Sequence, residues 1–271
     1  MIINGKEISE KIKSSLREEI FASKKKIRLA VIKVADDAVT EKYLEVKKKF
    51  AETVGMDVRI YEVPKDISTN KLREKISEVI HIEENNGVIV QLPLPEGINA
   101  QYILDAIIPE KDPDVLSSKS WGKFSMGKNK ILPPVVGAVK IIFDENKIEL
   151  KGKNAVVVGA GRLVGKPIST WLIEEGATVS VIDENTKNPE EYTKKADILI
   201  SGVGKPKLIT PDMVPDGVVA IDCGTSESSG QVMGDIDPAV AEKALIFAPV
   251  PGGVGPITIA VLFKNLFELS K

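Results

Sequence analysis

The stretch KNAVVVGAGRLVGKPISTWLIEEGATVSVIDEN (residues 153–185) specifies the fold of the second half of the chain. An apolar strand pattern, AVVV, is followed by Gly159, Gly161 and Gly165, then by an apolar helix pattern and a second strand. Small residues between a strand and a helix let the backbone approach a pyrophosphate, and the helix N-terminus offers N–H groups and a positive dipole end. The G-x-G-x-x-x-G spacing is one residue longer than the commonest fingerprint, but the order of elements predicts a dinucleotide-binding βαβ unit.

The end of the second strand bears on which dinucleotide binds. The strand ends in Asp183, followed by Glu184. An acid at this point accepts hydrogen bonds from a ribose 2′-hydroxyl, so the local charge favours NAD over NADP. A 2′-phosphate would be repelled unless Arg162, Lys166 or Lys187 offset the acids. The alternative is that both acids simply face water.

Strand and helix patterns alternate in the first half of the chain as well. RLAVIKV (28–34), DVRIYEV (57–63) and GVIVQLPLP (87–95) have strand patterns, and residues 40–55 and 68–86 have helix patterns. Strands that alternate with helices predict a parallel sheet covered on both faces.

A turn-rich stretch over residues 109–134 interrupts this alternation. We therefore predict an α/β protein of two domains with a cleft between them. The N-terminal α/β substrate and catalytic domain covers residues 1–134, and the C-terminal helix, residues 255–271, packs back on it. The Rossmann-type nucleotide-binding domain covers residues 135–254.

Composition excludes several classes of function. The chain has 37 basic and 39 acidic residues among 271, so it has no net positive field for nucleic acid or an anionic membrane. Its single cysteine, Cys223, excludes an internal disulfide and a cysteine-cluster metal site, and its single histidine, His81, excludes a multi-histidine zinc site. No apolar run approaches the length of a membrane span. We expect a cytoplasmic protein with no metal.

Two polar residues, Lys47 and Gln91, stand at positions where the surrounding sequence pattern is apolar. The helix neighbours of Lys47 are apolar or aromatic: Tyr43, Phe50, Ala51 and Val54. Burial lowers the pKa of a lysine and makes it usable for proton transfer, although a lysine with only its stem buried is the alternative. Gln91 ends an apolar strand, where α/β sheets carry ligand groups, although a backbone-capping glutamine is the alternative.

Taken together, these segments resemble the bifunctional methylenetetrahydrofolate dehydrogenase/methenyltetrahydrofolate cyclohydrolase family. TEKYLEVKKKFAETVGM (40–56) is similar to the Y-x-x-x-K-x-K helix of that family. The other similar segments follow in order across nearly the whole chain: QLPLP (91–95), PEKDPD (109–114), GAGRLVGKP (159–167), ADILISGVGKP (196–206), AIDCG (220–224) and PVPGGVGPIT (249–258). QLPLP and PGGVGP are the most specific of them.

The resemblance implies roles for residues of the first half and of the last loop. Lys47 would transfer the proton, Tyr43 would position and stack, Gln91 would tune Lys47, and Asp114 would accept the amino and ring N–H groups of the pterin. The loop before the last helix would lie against folate and nicotinamide, with glycines that admit flat ligands and prolines that hold the loop still. The further substrate-binding residues would be Leu92, Pro93, Pro251, Gly252, Gly253, Pro256, Ile257 and Thr258.

The resemblance also implies the cofactor and the partners. The cofactor would be NADP, with NAD as the alternative because of the two acids after the second strand. We expect a homodimer that pairs through the nucleotide-binding domains, a place in one-carbon metabolism and purine biosynthesis, and no nucleic-acid or membrane partner. The cofactor-binding residues would be Gly159, Ala160, Gly161, Arg162, Gly165, Lys166, Pro167, Asp183, Glu184, Gly202, Val203, Gly224 and Thr225.

The chain departs from the family pattern at four places. Val115 stands where the family usually has glycine, and LPPVVG (132–137) replaces a Cys-Thr-Pro segment. Gly161 stands where serine is frequent, and Asp183-Glu184 replaces a His-Ser pair, so part of the expected NADP phosphate contacts is missing.

Two other functions share part of these features. A two-domain oxidoreductase of the shikimate dehydrogenase type would share the nucleotide half but has no need for QLPLP or PGGVGP. A non-catalytic nucleotide-sensing module would tolerate the loss of Lys47 and Asp114, and both are present.

Overall fold

The computed structural model describes residues 1–34, 38–228 and 231–271. These residues form two units, which we name by their sheets. The three-stranded unit comprises Glu10–Pro134 and Ile259–Lys271, and the five-stranded unit comprises Met1–Ser9 and Val135–Thr258.

The three-stranded unit contains a parallel sheet. The helices and strands in this part of the chain are α1 (Gly5–Ser23), β1 (Arg28–Val34), α2 (Ala38–Val54), β2 (Asp57–Val63), α3 (Thr69–His81), β3 (Gly87–Val90), α4 (Ala100–Leu104) and α5 (Ser118–Ser125). The strands lie in the order β2-β1-β3, and a short 3₁₀ helix, Pro109–Lys111, lies between α4 and α5. The last helix, α9 (Val254–Leu269), contributes its C-terminal part.

The central strand β1 is buried on both faces, as a parallel strand requires. Leu29 and Val31 point into a core shared with α1, α2 and α9, in which the rings of Phe50 and Phe263 stack with centroids 5.2 Å apart. Alternate residues of β1, such as Ile32, point into the opposite core, formed with α3 and α4. Burial of these side chains stabilises the unit by about 1.5–3 kcal/mol for each large one.

The five-stranded unit contains a parallel sheet and a small antiparallel pair of strands. The helices and strands in this part of the chain are α6 (Pro134–Glu145), β4 (Asn154–Val158), α7 (Gly165–Glu174), β5 (Thr178–Ile182), α8 (Glu190–Thr193), β6 (Ile198–Ser201), β7 (Val219–Asp222), β8 (Ser226–Ser228), β9 (Gln231–Met233) and β10 (Ile246–Ala248). The parallel strands lie in the order β10-β7-β6-β4-β5, and β8 pairs with β9. Short 3₁₀ helices cover Pro211–Met213 and Pro238–Glu242.

The first nine residues belong to a different unit from the one predicted for them. The sequence pattern assigns them to the N-terminal domain, but they group with the five-stranded unit. The N–H of Ile3 donates to the carbonyl of Phe247 and the N–H of Phe247 donates to the carbonyl of Met1, each at 2.8 Å. The segment thus pairs with the edge strand β10 and satisfies its backbone groups.

The predicted elements differ from the observed ones mainly at their ends. The strands predicted over 28–34 and 57–63 have the observed bounds of β1 and β2. The helix predicted over 68–86 begins after the predicted cap Ser68, whose side chain accepts from the N–H of Lys71 at 3.4 Å, but ends at His81. The strand predicted over 87–95 ends at Val90, and the Leu92–Pro93 peptide bond that follows is cis.

The turn that carries Val115 has an unusual backbone. Val115 has a φ of +58° and its side chain is fully buried. The carboxylate of the buried Asp112 closes the turn by accepting from the N–H of Leu116 at 3.3 Å and of Ser117 at 2.9 Å. A positive φ costs an L side chain about 1–2 kcal/mol, and a β-branched residue is rare there. The turn therefore has the conformation that glycine adopts freely.

We expect Val115→Gly to have a higher free energy of unfolding than Val115→Ala, by about 1 kcal/mol. Both variants lose the buried isopropyl group, but only glycine relieves the strain of the positive φ. The control is Val88 in β3, where alanine should be the more stable variant by about 0.5–1 kcal/mol. Urea denaturation of the four variants measures both differences, and a more stable alanine at position 115 would contradict the strain argument.

Candidate active site

Lys47 and Gln91 meet where β3 ends. Lys47 lies on α2 and is half-buried, and its Nζ donates to Gln91 Oε1 at 3.0 Å. The N–H of Gln91 continues the sheet by donating to the carbonyl of Ile32 at 2.9 Å. Its Nε2 donates to the carbonyl of Leu92 at 3.1 Å, so the side-chain oxygen is the atom that faces the amine. The amide side chain is held in the orientation that accepts from Lys47.

The surroundings of Lys47 make its ammonium group easier to deprotonate. Burial lowers the pKa of Lys47 from its ordinary value, and the nearby charge of Asp114 opposes this shift in part. Gln91 is a neutral partner and does not fix the charge of the amine. The alternative of a lysine whose head points to open water does not fit, since Nζ is turned toward Gln91.

Asp114 belongs to the same group of side chains. Burial raises the pKa of Asp114 to about 6, the charge of Lys47 lowers it, and the neighbouring Asp112 raises it. The turn closed by Asp112 holds Asp114 in place. This carboxyl group therefore changes its charge close to neutral pH, which is unusual for an aspartate.

Sequence reasoning missed Lys33, whose side chain is only 4% exposed. Its Nζ pairs with Glu41 in the first turn of α2 and lies 3.7 Å from Glu62 Oε1. The pair joins the end of β1 to the start of the helix that carries Lys47. A lysine inside the apolar run RLAVIKV was the available signal, because a charge in a buried strand needs a partner.

Tyr43 lies within α2, but its side chain is outside the described residues. Leu92 is half-buried and Pro93 is exposed, so both follow the site residue Gln91 at accessible positions. Lys47, Gln91 and Asp114 are thus the predicted catalytic residues that the three-stranded unit brings together.

The predicted glycine loop follows β4 in the five-stranded unit and packs against the loop after β6. A Cβ added to Gly165 would lie 1.9 Å from the carbonyl oxygen of Gly159, and one added to Gly159 would lie 3.0 Å from that of Gly202. A Cβ on Gly202 would lie 2.3 Å from the side chain of Val164. Three of the predicted cofactor-binding glycines are therefore required by close packing. A Cβ on Gly161 would meet only open space, so packing does not explain why this residue is glycine.

The start of α7 is suited to an anionic ligand. The helix begins at Gly165, and Val164 at the N-cap position forms no side-chain hydrogen bond. Ala160, Gly161, Arg162 and Lys166 are exposed around this end, whereas Pro167 is buried. The N–H of Lys166 donates to the carbonyl of Gly161 at 3.0 Å and Pro167 has no N–H. The positive dipole end of the helix fits the pyrophosphate of a dinucleotide, and the two exposed basic side chains can meet a further phosphate group.

The two acids after β5 are exposed, and one of them is engaged. Asp183 Oδ1 accepts from the N–H of Asn185 at 2.9 Å and from Thr186 Oγ1 at 3.4 Å. Asp183 thus closes its own turn rather than merely facing water. Glu184 is exposed, as are Val203 and Thr225 at the ends of the next two strands, while Gly224 is buried.

Two of the three glycines of PVPGGVGPIT, Gly252 and Gly253, are needed by the backbone of the loop itself. Gly252 has a φ of +98°, and a Cβ on Gly253 would lie 2.4 Å from the carbonyl oxygen of Pro249. A Cβ on Gly5 would lie 1.7 Å from the carbonyl oxygen of Gly253. Backbone packing within the five-stranded unit is thus sufficient to require glycine at position 253, and the close approach of flat ligands stays a prediction. The cis bond Val250–Pro251 lies in the same loop.

The remaining residues of this loop are tied into their own unit. Ile257 is fully buried, Thr258 Oγ1 donates to the carbonyl of Val254 at 3.1 Å, and the carbonyl of Pro256 accepts from Ser9 Oγ at 3.0 Å. We expect Ile257 to shape the loop from inside, because a buried side chain offers no surface to a ligand.

Within the described residues, no group of three or more His, Cys, Asp or Glu side chains is placed to hold a metal ion. Among those same residues, no helix is both long and apolar enough to cross a membrane.

Comparison with known proteins identifies both domains of the chain. Residues 3–114 match the catalytic domain of tetrahydrofolate dehydrogenase/cyclohydrolase, and residues 133–271 match its NAD(P)-binding domain. The bifunctional protein FolD of Hydrogenobaculum sp. is 40% identical over 273 residues, covering 100% of this chain and 98% of the relative.

Two solved structures are also similar. The bifunctional FolD enzyme of Campylobacter jejuni has a TM-score of 0.95 at 36% identity and covers 100% of this chain and 98% of that one. The Trypanosoma brucei FolD, solved with NADP and an inhibitor, has a TM-score of 0.94 at 29% identity, with 99% and 96% covered. With both domain models matched in order over most of its length, the chain belongs to the tetrahydrofolate dehydrogenase/cyclohydrolase family.

Proposed function

We propose that this chain oxidises 5,10-methylenetetrahydrofolate to the 5,10-methenyl form with a nicotinamide dinucleotide and hydrolyses the methenyl form to 10-formyltetrahydrofolate. The observation that carries the proposal is the 3.0 Å hydrogen bond from Lys47 Nζ to Gln91 Oε1, within electrostatic range of Asp114. A half-buried amine whose hydrogen-bond partner is neutral can accept a proton and release it again. Because it has no permanent positive charge, it does not repel a cationic substrate.

In the oxidation, the residues of the chain bind and orient. A bound nicotinamide supplies the acceptor for the hydride that leaves the methylene carbon of the folate. The carboxylate of Asp114 accepts the amino and ring N–H groups of the pterin in charge-assisted hydrogen bonds and fixes its register. Lys47 stays uncharged in this step, because an ammonium would repel the developing methenyl cation.

In the hydrolysis, Lys47 accepts a proton. Water adds to the cationic methenyl carbon, and one of its protons passes to Nζ of Lys47. The hydroxyl group of this adduct then loses its proton to solvent as the C=O bond forms, the bond from the carbon to N5 breaks, and N5 takes up the proton held by Lys47. The formyl group remains on N10, and one proton is released in total. Gln91 Oε1 holds one N–H of the amine, so that the lone pair has a defined direction.

We infer that the cofactor is NADP, with NAD as the alternative. Exposed basic side chains at the start of α7, Arg162 and Lys166, support a 2′-phosphate. The Trypanosoma brucei relative was solved with NADP. Asp183 and Glu184 oppose this preference, and the turn closed by Asp183 uses one of its oxygens for the backbone.

We propose a cytoplasmic homodimer that supplies one-carbon units to purine biosynthesis. Strand β5 lies at the edge of its sheet, with Val181 46% exposed on it and Ile173 63% exposed on α7. An exposed strand edge flanked by apolar side chains supports pairing between two five-stranded units. A monomer in sedimentation velocity would contradict the pairing.

We expect Lys47→Met to lower the kcat for hydrolysis of methenyltetrahydrofolate by at least about 10²-fold, because the variant has no proton acceptor. Lys48→Met is the matched control, since Lys48 is exposed on the same helix. Loss of the methenyl absorbance measures the rate. Full activity in Lys47→Met would remove this residue from the mechanism.

Folate affinity should depend on pH through Asp114. Its pKa of about 6 means that the carboxylate is ionised above this pH and accepts the pterin donors, whereas the acid form below it does not. The Kd should therefore rise by about tenfold per pH unit as the pH falls below 6. Titration of a non-reactive folate analogue from pH 5 to pH 8 measures this, with Asp114→Asn as a weak-binding, pH-independent control. A constant Kd in the wild type would contradict the role of Asp114.

Arg162→Gln should lower kcat/KM with NADP by about tenfold and leave kcat/KM with NAD nearly unchanged, because only NADP carries the 2′-phosphate. Initial rates with both dinucleotides, measured side by side on wild type and variant, test the preference. A wild type that is faster with NAD, or equal losses with both dinucleotides, would contradict the inference.

A further inference from the structure

Asp235 is a fully buried carboxylate in the segment GDID (234–237), which follows β9. Its Oδ2 accepts from Ser201 Oγ at 2.8 Å and from the N–H of Val203 at 2.6 Å. Its Oδ1 accepts from the N–H of Gly204 at 2.9 Å and of Lys205 at 2.8 Å. One side chain thus receives three consecutive backbone N–H groups and the hydroxyl group that precedes them.

The loop held in this way, residues 202–205, follows β6 and lies beside the glycine loop after β4. A Cβ on Gly159 would lie 3.1 Å from Cγ2 of Val203, so the two loops are in contact. Between β4 and β6 the strand order reverses, because β5 lies on one side and β6 on the other. In parallel sheets a ligand binds outside the carboxyl ends of the strands at such a point.

The N–H groups of Val203, Gly204 and Lys205 all point at the carboxylate of Asp235. Three consecutive N–H groups that converge on one point form an anion-binding concavity, and the carboxylate of Asp235 occupies it. These groups are therefore used to fix the loop and are not directed at a ligand. Val203, 45% exposed, is presented on the outer side of the loop.

A second carboxylate, Asp222 at the end of β7, holds Asp235 in turn. It accepts from the N–H of Asp235 at 3.1 Å, of Ile236 at 2.8 Å and of Gly224 at 2.9 Å. A Cβ on Gly224 would lie 2.0 Å from Cγ of Asp235, and one on Gly234 would lie 2.0 Å from Oδ2 of Asp222. The glycines after β7 and β9 thus give the two carboxylates the space they need.

We propose that Asp235 is a positioning residue for dinucleotide binding, which it promotes by holding residues 202–205 beside the glycine loop. The inference rests on the proposed function, since it takes this edge of the sheet as the nucleotide site. Asp235 itself touches no ligand and acts through the backbone of the loop.

The test is Asp235→Asn in the full chain. The amide keeps one acceptor oxygen but places an NH₂ group against at least one backbone N–H group, so the loop loses at least one of its bonds and gains a contact between two donors. We expect the Kd for reduced NADP, measured by its fluorescence, to rise by about tenfold or more. Cyclohydrolase kcat should be unchanged and dehydrogenase kcat at saturating dinucleotide nearly so. The control is Asp197→Asn, since the exposed carboxylate of Asp197 accepts from the N–H of Asn154, the first residue of β4, at 2.8 Å.

Ser201→Ala provides a milder variant in case Asp235→Asn does not fold. It removes one hydrogen bond to Oδ2 and should raise the Kd by about two- to fivefold. An unchanged Kd in whichever variant folds, or a fall of both activities together with an unchanged Kd, would overturn the proposal and leave Asp235 a purely structural residue. A wild type that binds neither dinucleotide would instead contradict the proposed function, and this inference with it.

Discussion

The order of the parallel strands determines where Gln91 and the glycine loop lie. In the three-stranded unit the chain passes from β1 to β2 on one side and returns to β3 on the other. In the five-stranded unit β4 is followed by β5 on one side and by β6 on the other. The loops that leave the central strands diverge at such a point and open a space at the carboxyl edge of the sheet. Gln91 lies at this edge in one unit, and the glycine loop lies at this edge in the other.

What each unit places at its edge is chemically different. The three-stranded unit places an amine, an amide and a carboxyl group together under partial burial, and burial moves the pKa values of Lys47 and Asp114 toward neutral pH from opposite sides. The five-stranded unit places glycines, a helix N-terminus and exposed basic side chains there, and buried carboxylates behind them fix the loops. One unit can exchange protons near neutral pH, and the other can bind an anionic cofactor.

Sequence patterns predicted the parts of this arrangement that depend on local periodicity. The bounds of β1 and β2 follow from short apolar runs with turn residues on either side, and the inward position of Lys47 follows from the spacing of its neighbours on a helix. Resemblance to the family predicted Asp114 and the departure at Val115. The positive φ at Val115 was not predicted, because no local pattern reports a backbone angle that the surrounding turn imposes on a valine.

Contacts between distant segments could not be predicted. The pairing of Met1–Ser9 with β10 joins opposite ends of the chain, and Asp235 holds the N–H of Gly204, 31 positions earlier. The same applies to the close packing of Gly253 against the backbone of Pro249, which no local pattern reports. Lys33 gave a signal, a charge within a buried strand, but its partner in α2 is known only from the fold.

Partial burial lowers the pKa of Lys47, so its amine loses a proton at a lower pH than a lysine amine in water does. Titration of the side-chain amine by NMR, in protein labelled with ¹³C at the lysine ε carbon and assigned with a Lys47 variant, measures this directly. The account predicts a midpoint clearly below the ordinary 10.5, and a still lower one when Asp114 is replaced by asparagine, because the opposing charge is then absent. A midpoint at or above 10.5 would contradict the account.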